Sequence, residues 1–393
     1  MTTKHAATTF ERLGVDPRLT KELSGQGIIA PFPVQAMTIP DGVLGRDVCG
    51  KAKTGSGKTL AFGIPLLMRL GQTSPGRPGG LVLVPTRELA QQVHEVLNPL
   101  AASVGRRTVA VYGGAEIEAQ SKRLKRGSDV VIATPGRLID LIDRREVSVA
   151  AVEIVVIDEA DRMADMGFLP QVDWVLRRIE TVHQTMLFSA TLDGDINRLV
   201  SRRLKDPVFH EVASETTTVD SMEHRFLHVH EMDKVKVAAS IANNADKTIL
   251  FVRTKRGADR LVMQLRKEGV RASAIHGDLR QNVRERALED FSRGRLPALV
   301  ATDVAARGLD IEDVDVVVHF DPPEDHKAYV HRSGRTARAG DSGVVATLVL
   351  WNQVLEVERI QKRLGLKVPI VEVFSNDPRL ADLAGWTPDE GAA

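Results

Sequence analysis

The sequence predicts an α/β fold built on mostly parallel β-sheets. Short apolar runs rich in Val, Ile and Leu recur along the 393 residues. Runs that are apolar on both faces suit parallel strands covered by helices on either side. Helix-like stretches lie between the runs, and this alternation favours a parallel sheet. A length of 393 residues allows two or three domains of about 150 residues each.

The predicted elements fall into two series. The first series of strands comprises 81-LVLVP-85, 129-DVVIAT-134, 153-EIVVID-158 and 185-TMLFSAT-191. The second comprises 248-TILFV-252, 298-ALVAT-302, 314-VDVVVHF-320 and 343-GVVATLVL-350. Residues 87–101 and 257–269 are examples of the helix-like stretches between them.

A polar stretch rich in Ser and Thr, residues 213–221, separates the two series and is interpreted as a linker. We therefore expect a first domain over residues 1–212 and a second over residues 222–374. Residues 375–393 are interpreted as a short tail.

Composition and charge indicate an ordinary globular protein. The chain is 43% hydrophobic and 27% charged, well above the apolar content of disordered chains. Lys and Arg number 53 against 52 Asp and Glu, which excludes a polybasic coat protein but permits a local basic groove. The single cysteine, Cys49, excludes an intrachain disulfide framework. No apolar signal region and no apolar run of about 18 residues is found, so we expect a cytoplasmic protein without a membrane span.

Residues 52-AKTGSGKT-59 have the context of a phosphate-binding loop, because they follow a short apolar strand, 47–50, and open a helix-like stretch, 58–70. Gly55 and Gly57 let the backbone N–H groups point at phosphate oxygens, and the helix N-terminus favours an anion. Lys58 is expected to reach the β- and γ-phosphates, and Thr59 to offer its hydroxyl to Mg²⁺. The alternative is a structural glycine-rich turn. The other predicted nucleotide-binding residues of the loop are Ala52, Lys53, Thr54 and Ser56.

A phosphate loop needs an acidic partner for the metal, normally at the end of a neighbouring buried strand. The run 153-EIVVIDEAD-161 supplies one. Asp158 is expected to hold Mg²⁺, directly or through water, and Glu159 to position and partly deprotonate the attacking water. The alternative is a strand that ends in solvated carboxylates.

With these two motifs, 52-AKTGSGKT-59 and 158-DEAD-161, the chain resembles the DEAD-box ATP-dependent RNA helicases of superfamily 2. Further motifs occur in the order typical of that family, over roughly residues 10–345. They are 85-PTRELA-90, 113-GG-114, 134-TPGR-137, 189-SAT-191, 281-QNVR-284, 301-ATDVAARGLD-310 and 331-HRSGRTARAG-340.

The resemblance implies two tandem RecA-like domains with the nucleotide in the cleft between them. Gln35 resembles the glutamine that bonds the adenine edge, and Phe10 the aromatic that supports its segment. Asp310 matches the acid that contacts the ribose. Arg335 and Arg338 match the pair that reaches the γ-phosphate, where a guanidinium stabilises developing charge.

The resemblance also implies RNA contacts made mostly to the sugar–phosphate backbone, which carry little base information. The residues that match the family's contacts in the first domain are Thr86, Arg87, Gly114, Thr134 and Arg137. Those in the second domain are Arg253, Gly277, Gln281, Arg284 and Thr302. Ser189 and Thr191 are expected to couple the two sites through hydrogen bonds to the acidic tetrapeptide.

The implied activity is ATP hydrolysis on RNA binding, with local separation of short duplexes or remodelling of ribonucleoprotein. Three alternatives stay open at this point: an RNA clamp that does not unwind, a DNA-specific helicase, and a small-molecule kinase or metabolic ATPase. The last alternative leaves residues 281–284 and 331–340 unexplained.

Overall fold

The structure, a computed structural model, describes residues 8–52, 55–192, 194–212, 222–279, 281–306, 314–336 and 343–386. The chain divides into two compact units, Met1–Ala213 and Ser214–Ala393, and each contains one seven-stranded parallel sheet flanked by helices. The predicted fold class is confirmed. The exact domain limits expected from the sequence stay a prediction. Within the described residues, no helix combines the length and the apolar character needed to cross a membrane.

The first sheet has the strand order β3-β4-β2-β5-β6-β1-β7, and every neighbouring pair is parallel. Its strands are β1 (Val48–Lys51), β2 (Gly80–Leu83), β3 (Thr108–Val111), β4 (Val130–Ala133), β5 (Ile154–Ile157), β6 (Gln184–Ser189) and β7 (Val208–Glu211).

Nine helices accompany this sheet in the part of the first unit that the structure describes. They are α1 (Pro17–Gly25), α2 (Pro33–Val43), α3 (Lys58–Arg69), α4 (Arg87–Ser103), α5 (Ile117–Lys125), α6 (Pro135–Asp143), α7 (Ala160–Asp165), α8 (Leu169–Leu176) and α9 (Gly194–Arg203).

The second sheet repeats the same arrangement with the order β10-β11-β9-β12-β13-β8-β14, again all parallel. Its strands are β8 (Met222–His228), β9 (Thr248–Val252), β10 (Ala272–Ile275), β11 (Ala298–Thr302), β12 (Val316–His319), β13 (Gly343–Val349) and β14 (Ile370–Glu372). Its helices are α10 (Lys234–Asn243), α11 (Lys255–Lys267), α12 (Gln281–Ser292), α13 (Asp303–Ala306), α14 (His326–Ser333) and α15 (Val354–Leu364).

Both faces of each sheet are buried, which explains why the strands lack a polar face. Successive residues of β2 belong to different cores, with Leu81 on one face and Val82 on the other. In β9, Ile249 and Leu250 divide between two cores in the same way. Side chains of a strand alternate between faces, so continuous apolar runs are what two helical layers require.

Residues 375–386, interpreted from the sequence as part of a tail, pack against the second unit. Leu380, Leu383 and Trp386 are buried in the same core as β8 and β9. The Arg225 Nε donates to the Leu383 carbonyl oxygen at 2.9 Å, and the Arg225 guanidinium lies 5.8 Å from the Trp386 ring. Three spaced apolar side chains in a polar segment are enough to anchor it, since their burial removes apolar area from water.

Candidate functional site

The loops with the predicted nucleotide chemistry meet at the carboxyl edge of the first sheet. The phosphate loop follows β1, the acidic tetrapeptide follows β5, and residues 189–191 end β6. Strands β5, β6 and β1 are direct neighbours, and parallel strands end on the same edge. The loop is tied to β6 by the Ala52 N–H, which donates to the Ser189 carbonyl oxygen at 3.0 Å.

The phosphate loop has the backbone that an anion cradle needs. Gly55 and Gly57 have φ values of +79° and +85°, a region that side-chain-bearing residues rarely adopt. The helix α3 then begins at Lys58, so its first N–H groups face the loop. The Lys58 ammonium is buried and donates to the Ala52 carbonyl oxygen at 3.0 Å. Thr59 follows in the first turn of α3, and Ser56 lies within the loop; Lys53 and Thr54 lie outside the described residues.

Gln35 connects the phosphate loop to α2. Its Nε2 donates to the Gly57 carbonyl oxygen at 2.9 Å, and its Oε1 accepts the Phe32 N–H at 2.9 Å. A Cβ on Gly57 would lie 2.6 Å from the Phe32 ring, so only glycine fits at this approach. Phe10 is 1% exposed and belongs to the core beneath this segment, which suits support better than direct contact with a ligand.

Asp158 is a buried carboxylate whose ionised form a bound cation would stabilise. It is 2% exposed, and burial raises the pKa of its carboxyl to about 6, although nearby Lys58 opposes that shift. Burial destabilises an ionised carboxylate, and a bound divalent cation would reverse that penalty. Within the described residues, no group of three or more His, Cys, Asp or Glu could hold a metal by itself. The oxygen donors of Asp158 and Thr59 would suit a magnesium ion, with phosphate oxygens and water completing its ligands.

Glu159 has a strained backbone and a fixed side chain. Its φ of +50° places a non-glycine residue in the left-handed region, directly before α7. Such outliers cost of order 1–3 kcal/mol and cluster at functional sites. Its Oε2 accepts a hydrogen bond from the Arg162 Nη1 in a buried ion pair. Arg162 was not among the predicted site residues, and its position three residues after Glu159 is the only sequence signal for this pairing.

Asp161 joins the acidic tetrapeptide to the end of β6. Its Oδ2 accepts the backbone N–H groups of Ala190 and Thr191, both at 3.2 Å. Its own N–H donates to the Ser189 Oγ at 3.2 Å, and the Thr191 hydroxyl approaches the same carboxylate at 3.4 Å. The structure contains hydrogen bonds of the kind expected for Ser189 and Thr191, and their coupling role stays a prediction.

The first unit's RNA-contact candidates follow the next strands of the same edge, β2, β3 and β4. Thr86 caps α4, and its Oγ1 accepts the Leu89 N–H at 3.3 Å. Gly114 has a φ of +80°, and a Cβ there would lie 2.9 Å from the Arg87 Nη1. Arg87 also has a buried Nη2 with no hydrogen-bond partner among the described residues, so it has donor capacity for a ligand.

Arg137 lies beside the loop that contains Gly114, since its Nη1 donates to the Ala115 carbonyl oxygen at 3.1 Å. Thr134 precedes α6 and makes no capping hydrogen bond with its side chain. Because β4 lies between β3 and β2, the structure brings all five predicted residues of this unit to one edge.

In the second unit, Arg253, Gly277 and Thr302 follow or end β9, β10 and β11, which are neighbours in the sheet. The Arg253 side chain is 48% exposed, whereas Arg284 is 5% exposed and donates through Nη2 to the Ala305 carbonyl oxygen at 2.8 Å. Thr302 is buried at the end of its strand. Gln281 is the first residue of α12, and its side chain lies outside the described part.

The segment with Arg335 is anchored by a buried arginine that sequence reasoning did not single out. The Arg332 guanidinium is 2% exposed and donates to both carboxylate oxygens of Asp303, at 2.6 and 2.7 Å. Its Nη1 also donates to the Asp321 carbonyl oxygen at 2.6 Å. Such bidentate pairs fix geometry as well as charge. Arg335 follows directly after α14 and is partly buried; Arg338 and Asp310 lie outside the described residues.

A phosphate loop, a buried carboxylate and a hydrogen-bonded β6 segment on one sheet edge define a nucleoside triphosphatase with a second, similar sheet domain. Family models agree, since "DEAD/DEAH box helicase" matches residues 32–199 and "Helicase conserved C-terminal domain" matches residues 232–340. The chain belongs to the DEAD-box helicase family.

Two curated relatives carry the name "DEAD-box ATP-dependent RNA helicase CshA". The protein from Bacillus licheniformis is 42% identical over 343 residues, which cover 87% of this chain and 70% of that protein. The protein from Geobacillus kaustophilus is 40% identical over 363 residues, which cover 92% of this chain and 78% of that protein.

Among solved structures, S. cerevisiae Dbp5 bound to RNA and ADP BeF3 matches with a TM-score of 0.79 and 29% identity, covering 94% of this chain and 97% of that one. A DEAD box protein from Methanococcus jannaschii matches with a TM-score of 0.51 and 30% identity, and the match covers 93% of this chain and 99% of that one.

Proposed function

We propose that this chain is an RNA-dependent ATPase that separates short RNA duplexes locally or remodels ribonucleoprotein. The observation that carries the proposal is the Asp161 carboxylate, which bonds the residues after β6, while its neighbour Asp158 lies within the electrostatic reach of Lys58 in the phosphate loop. The proposal is supported by the sheet order, in which the proposed ATP residues and the first unit's RNA-contact candidates follow strands that end on one edge. The names of the CshA relatives and the RNA-bound Dbp5 structure support the same activity.

The proposed nucleotide contacts rest on the backbone of the loop and on the residues that match the family's nucleotide contacts. Backbone N–H groups of residues 52–59 would hold the phosphates, and Lys58 would exchange its bond to the Ala52 carbonyl oxygen for one to the β- and γ-phosphates. Gln35 would meet the adenine, Phe10 would support that segment, and Asp310 would meet the ribose. Thr59 and Asp158 would hold Mg²⁺, which supplies charge neutralisation at the phosphates when bound.

Hydrolysis needs a positioned water and a group that neutralises the developing charge. Glu159 is proposed to orient the water and accept its proton, with Arg162 fixing the carboxylate. Arg335 and Arg338 of the second unit are proposed to stabilise the γ-phosphate oxygens during transfer. An arginine in this role contributes about 10³ to 10⁵ in rate.

The proposed RNA contacts use Thr86, Arg87, Gly114, Thr134 and Arg137 in the first unit. In the second unit they use Arg253, Gly277, Gln281, Arg284 and Thr302. Arginines and hydroxyl groups suit phosphates and 2′-hydroxyls, so the protein would distinguish RNA from DNA but read little base sequence. We also propose that it works in the cytoplasm, where ATP and RNA are both found.

The Lys58→Ala variant tests the proposed function. Loss of the ammonium removes a phosphate contact, so RNA-stimulated ATP turnover should fall by at least about 10²-fold. Thermal melting should stay near that of the unaltered protein, because among the described residues the Lys58 ammonium makes a single hydrogen bond, to the Ala52 carbonyl oxygen. ATP turnover measured with and without single-stranded RNA, beside displacement of a labelled strand, checks both activities. RNA-independent turnover that survives the substitution would rule the function out, and ATP-dependent RNA retention without strand release would indicate a clamp.

A further inference from the structure

A second group of exposed cations lies at the amino edge of the first unit's sheet, away from the candidate site. We call it the basic edge. It consists of Arg77, Arg107, Lys122, Arg123, Arg126 and Arg145, all of them exposed. These residues come from the segments before β2, β3 and β4 and from the segment after α6.

The contacts between these segments show that the basic edge is one surface. The Arg107 Nη1 donates to the Arg126 carbonyl oxygen at 3.0 Å. Arg126 caps the C-terminus of α5, so Lys122 and Arg123 lie within the turn that precedes it. Burial lowers the pKa of His94 on α4, and the nearby Arg123 charge lowers it further, so Arg123 lies close to that helix.

Arg77 and Arg145 join the same surface through two loops. A Cβ on Gly127 would lie 3.9 Å from Pro75, so the loop of residues 74–77 rests against the end of α5. The Ser148 N–H donates to the Gly76 carbonyl oxygen at 2.8 Å, which ties the segment containing Arg145 to that loop.

The charge of the basic edge is not compensated locally. Five of its cations, all except Arg107, have no side-chain hydrogen bond or ion pair within the described residues, which include every segment of this edge. Three nearby acids are already occupied: Glu146 pairs with Lys125 and Ser121, Asp129 is bonded by Arg106 and Thr73, and Asp140 pairs with Arg144. The exposed Asp143 offsets one charge near Arg145 and leaves the edge with a net excess of cations. Since the whole chain has a formal charge of only +1, positive charge is concentrated at the basic edge and balanced by acids elsewhere in the chain.

The basic edge is separate from the RNA-contact candidates. Arg107 precedes β3 and Gly114 follows it, and a four-residue strand spans about 13 Å at 3.3 Å per residue. One RNA backbone contact cannot use both ends of the strand, so a ligand here must be a different stretch of chain or a different molecule.

We infer that the basic edge binds the phosphate backbone of a second stretch of the same RNA, an inference that rests on the proposed function. Guanidinium groups match phosphate geometry, and five of the six cations are arginines. None of the segments that form the edge contains an exposed large apolar side chain. An anionic membrane or a stable protein interface would call for apolar contacts as well, so a polyanion is favoured.

The test compares two double variants by RNA-stimulated ATP turnover and by RNA binding. Arg123→Gln with Arg126→Gln removes two charges from the basic edge. Arg202→Gln with Lys205→Gln is the matched control, because these exposed cations lie near β7, at the other end of the same sheet. Each is measured with RNA strands of about 10 nucleotides, the size of a single-strand site, and about 40 nucleotides.

The basic-edge variant should bind the long strand about five- to tenfold more weakly. Its affinity should also depend less steeply on salt, with the magnitude of the slope of log affinity against log salt concentration reduced by about 1.4. Binding of the short strand and maximal turnover should not change, and the control should match the unaltered protein. Arg77→Gln with Lys122→Gln should reproduce the effect.

Equal long-strand affinity in all variants would overturn the inference, as would a loss seen only for anionic vesicles or an acidic protein. Absence of RNA stimulation in the unaltered protein would instead contradict the proposed function.

Discussion

At the scale of single residues, the catalytic candidates are held by buried partners. Glu159 is 6% exposed, has a left-handed backbone and is paired with Arg162, which is equally buried. A buried ion pair costs desolvation, so its value here is orientation more than stability. The carboxylate is thereby kept at one position at the start of α7.

The Glu159→Gln variant is expected to bind ATP and RNA but to hydrolyse ATP at least about 10²-fold more slowly, because an amide cannot accept the proton of water. RNA should also be released more slowly in the presence of ATP. Nucleotide binding followed by fluorescence and single-turnover hydrolysis check this. Loss of ATP binding in this variant would show that Glu159 has another role.

His319 gives a pH-dependent stability. It is fully buried in the second unit, where burial, Arg332 and His224 hold its pKa well below the ordinary 6.5. Below pH 6.5 the His319 imidazole binds a proton in the unfolded chain but stays neutral in the folded chain. The free energy of unfolding therefore falls as pH falls. Because the unfolded pKa is near 6.5, this loss is at most about 2 kcal/mol at pH 5. His319→Asn should lose less between pH 7 and pH 5 in urea unfolding, and equal losses would contradict the assignment.

Several site residues could be predicted from short patterns, and others could not. Lys58, Thr59 and Asp158 are predictable because the loop and the end of a buried strand are local signals. Arg332, on α14, was not predicted, because its partners are distant in sequence: Asp303 begins α13 and Asp321 follows β12, and they meet it only in the folded chain. A pattern along the chain does not report such long-range pairs.

At the scale of elements, Asp161 connects the start of α7 to the end of β6. The nucleotide loop is also tied to β6 through Ala52 and Ser189. A change at the phosphates therefore has a direct hydrogen-bonded route to residues 189–191.

Asp161→Ala removes the acceptor for the Ala190 and Thr191 N–H groups. We expect strand displacement per ATP hydrolysed to fall about tenfold, with a smaller loss in ATP turnover, since the coupling contacts are lost while Lys58 and Asp158 remain. Asp165→Ala, an exposed acid in the same helix, is the control. Parallel losses of both activities would mean that Asp161 is only structural.

Strand prediction succeeded for the long apolar runs but missed β3, β7, β8, β10 and β14. All eight predicted runs contain observed strands, from β2 to β13. Strand β8, Met222–His228, was not predicted because it contains charged and imidazole side chains. Those side chains find distant partners: His224 bonds the Tyr329 hydroxyl at 2.8 Å, and Arg225 bonds the Leu383 carbonyl oxygen. Strand β10 was not predicted, because its Ala and Ser residues do not form a recognisable apolar run.

At the scale of the whole molecule, each unit contributes a different part of the proposed chemistry. The first unit has the phosphate loop, the buried acid and five RNA-contact candidates. The second has Arg335, on a segment anchored by the Arg332 pair with Asp303. The account therefore requires that ATP hydrolysis depend on both units, and that RNA promote it by engaging both.

The most direct measurement is RNA-stimulated ATP turnover of the Arg335→Lys variant, beside its affinity for ATP. Lysine keeps the charge but loses the forked geometry, so turnover should fall about 10³-fold while ATP still binds to the first unit. Turnover equal to that of the unaltered protein, at full RNA stimulation, would contradict the claim that the second unit completes the ATP site.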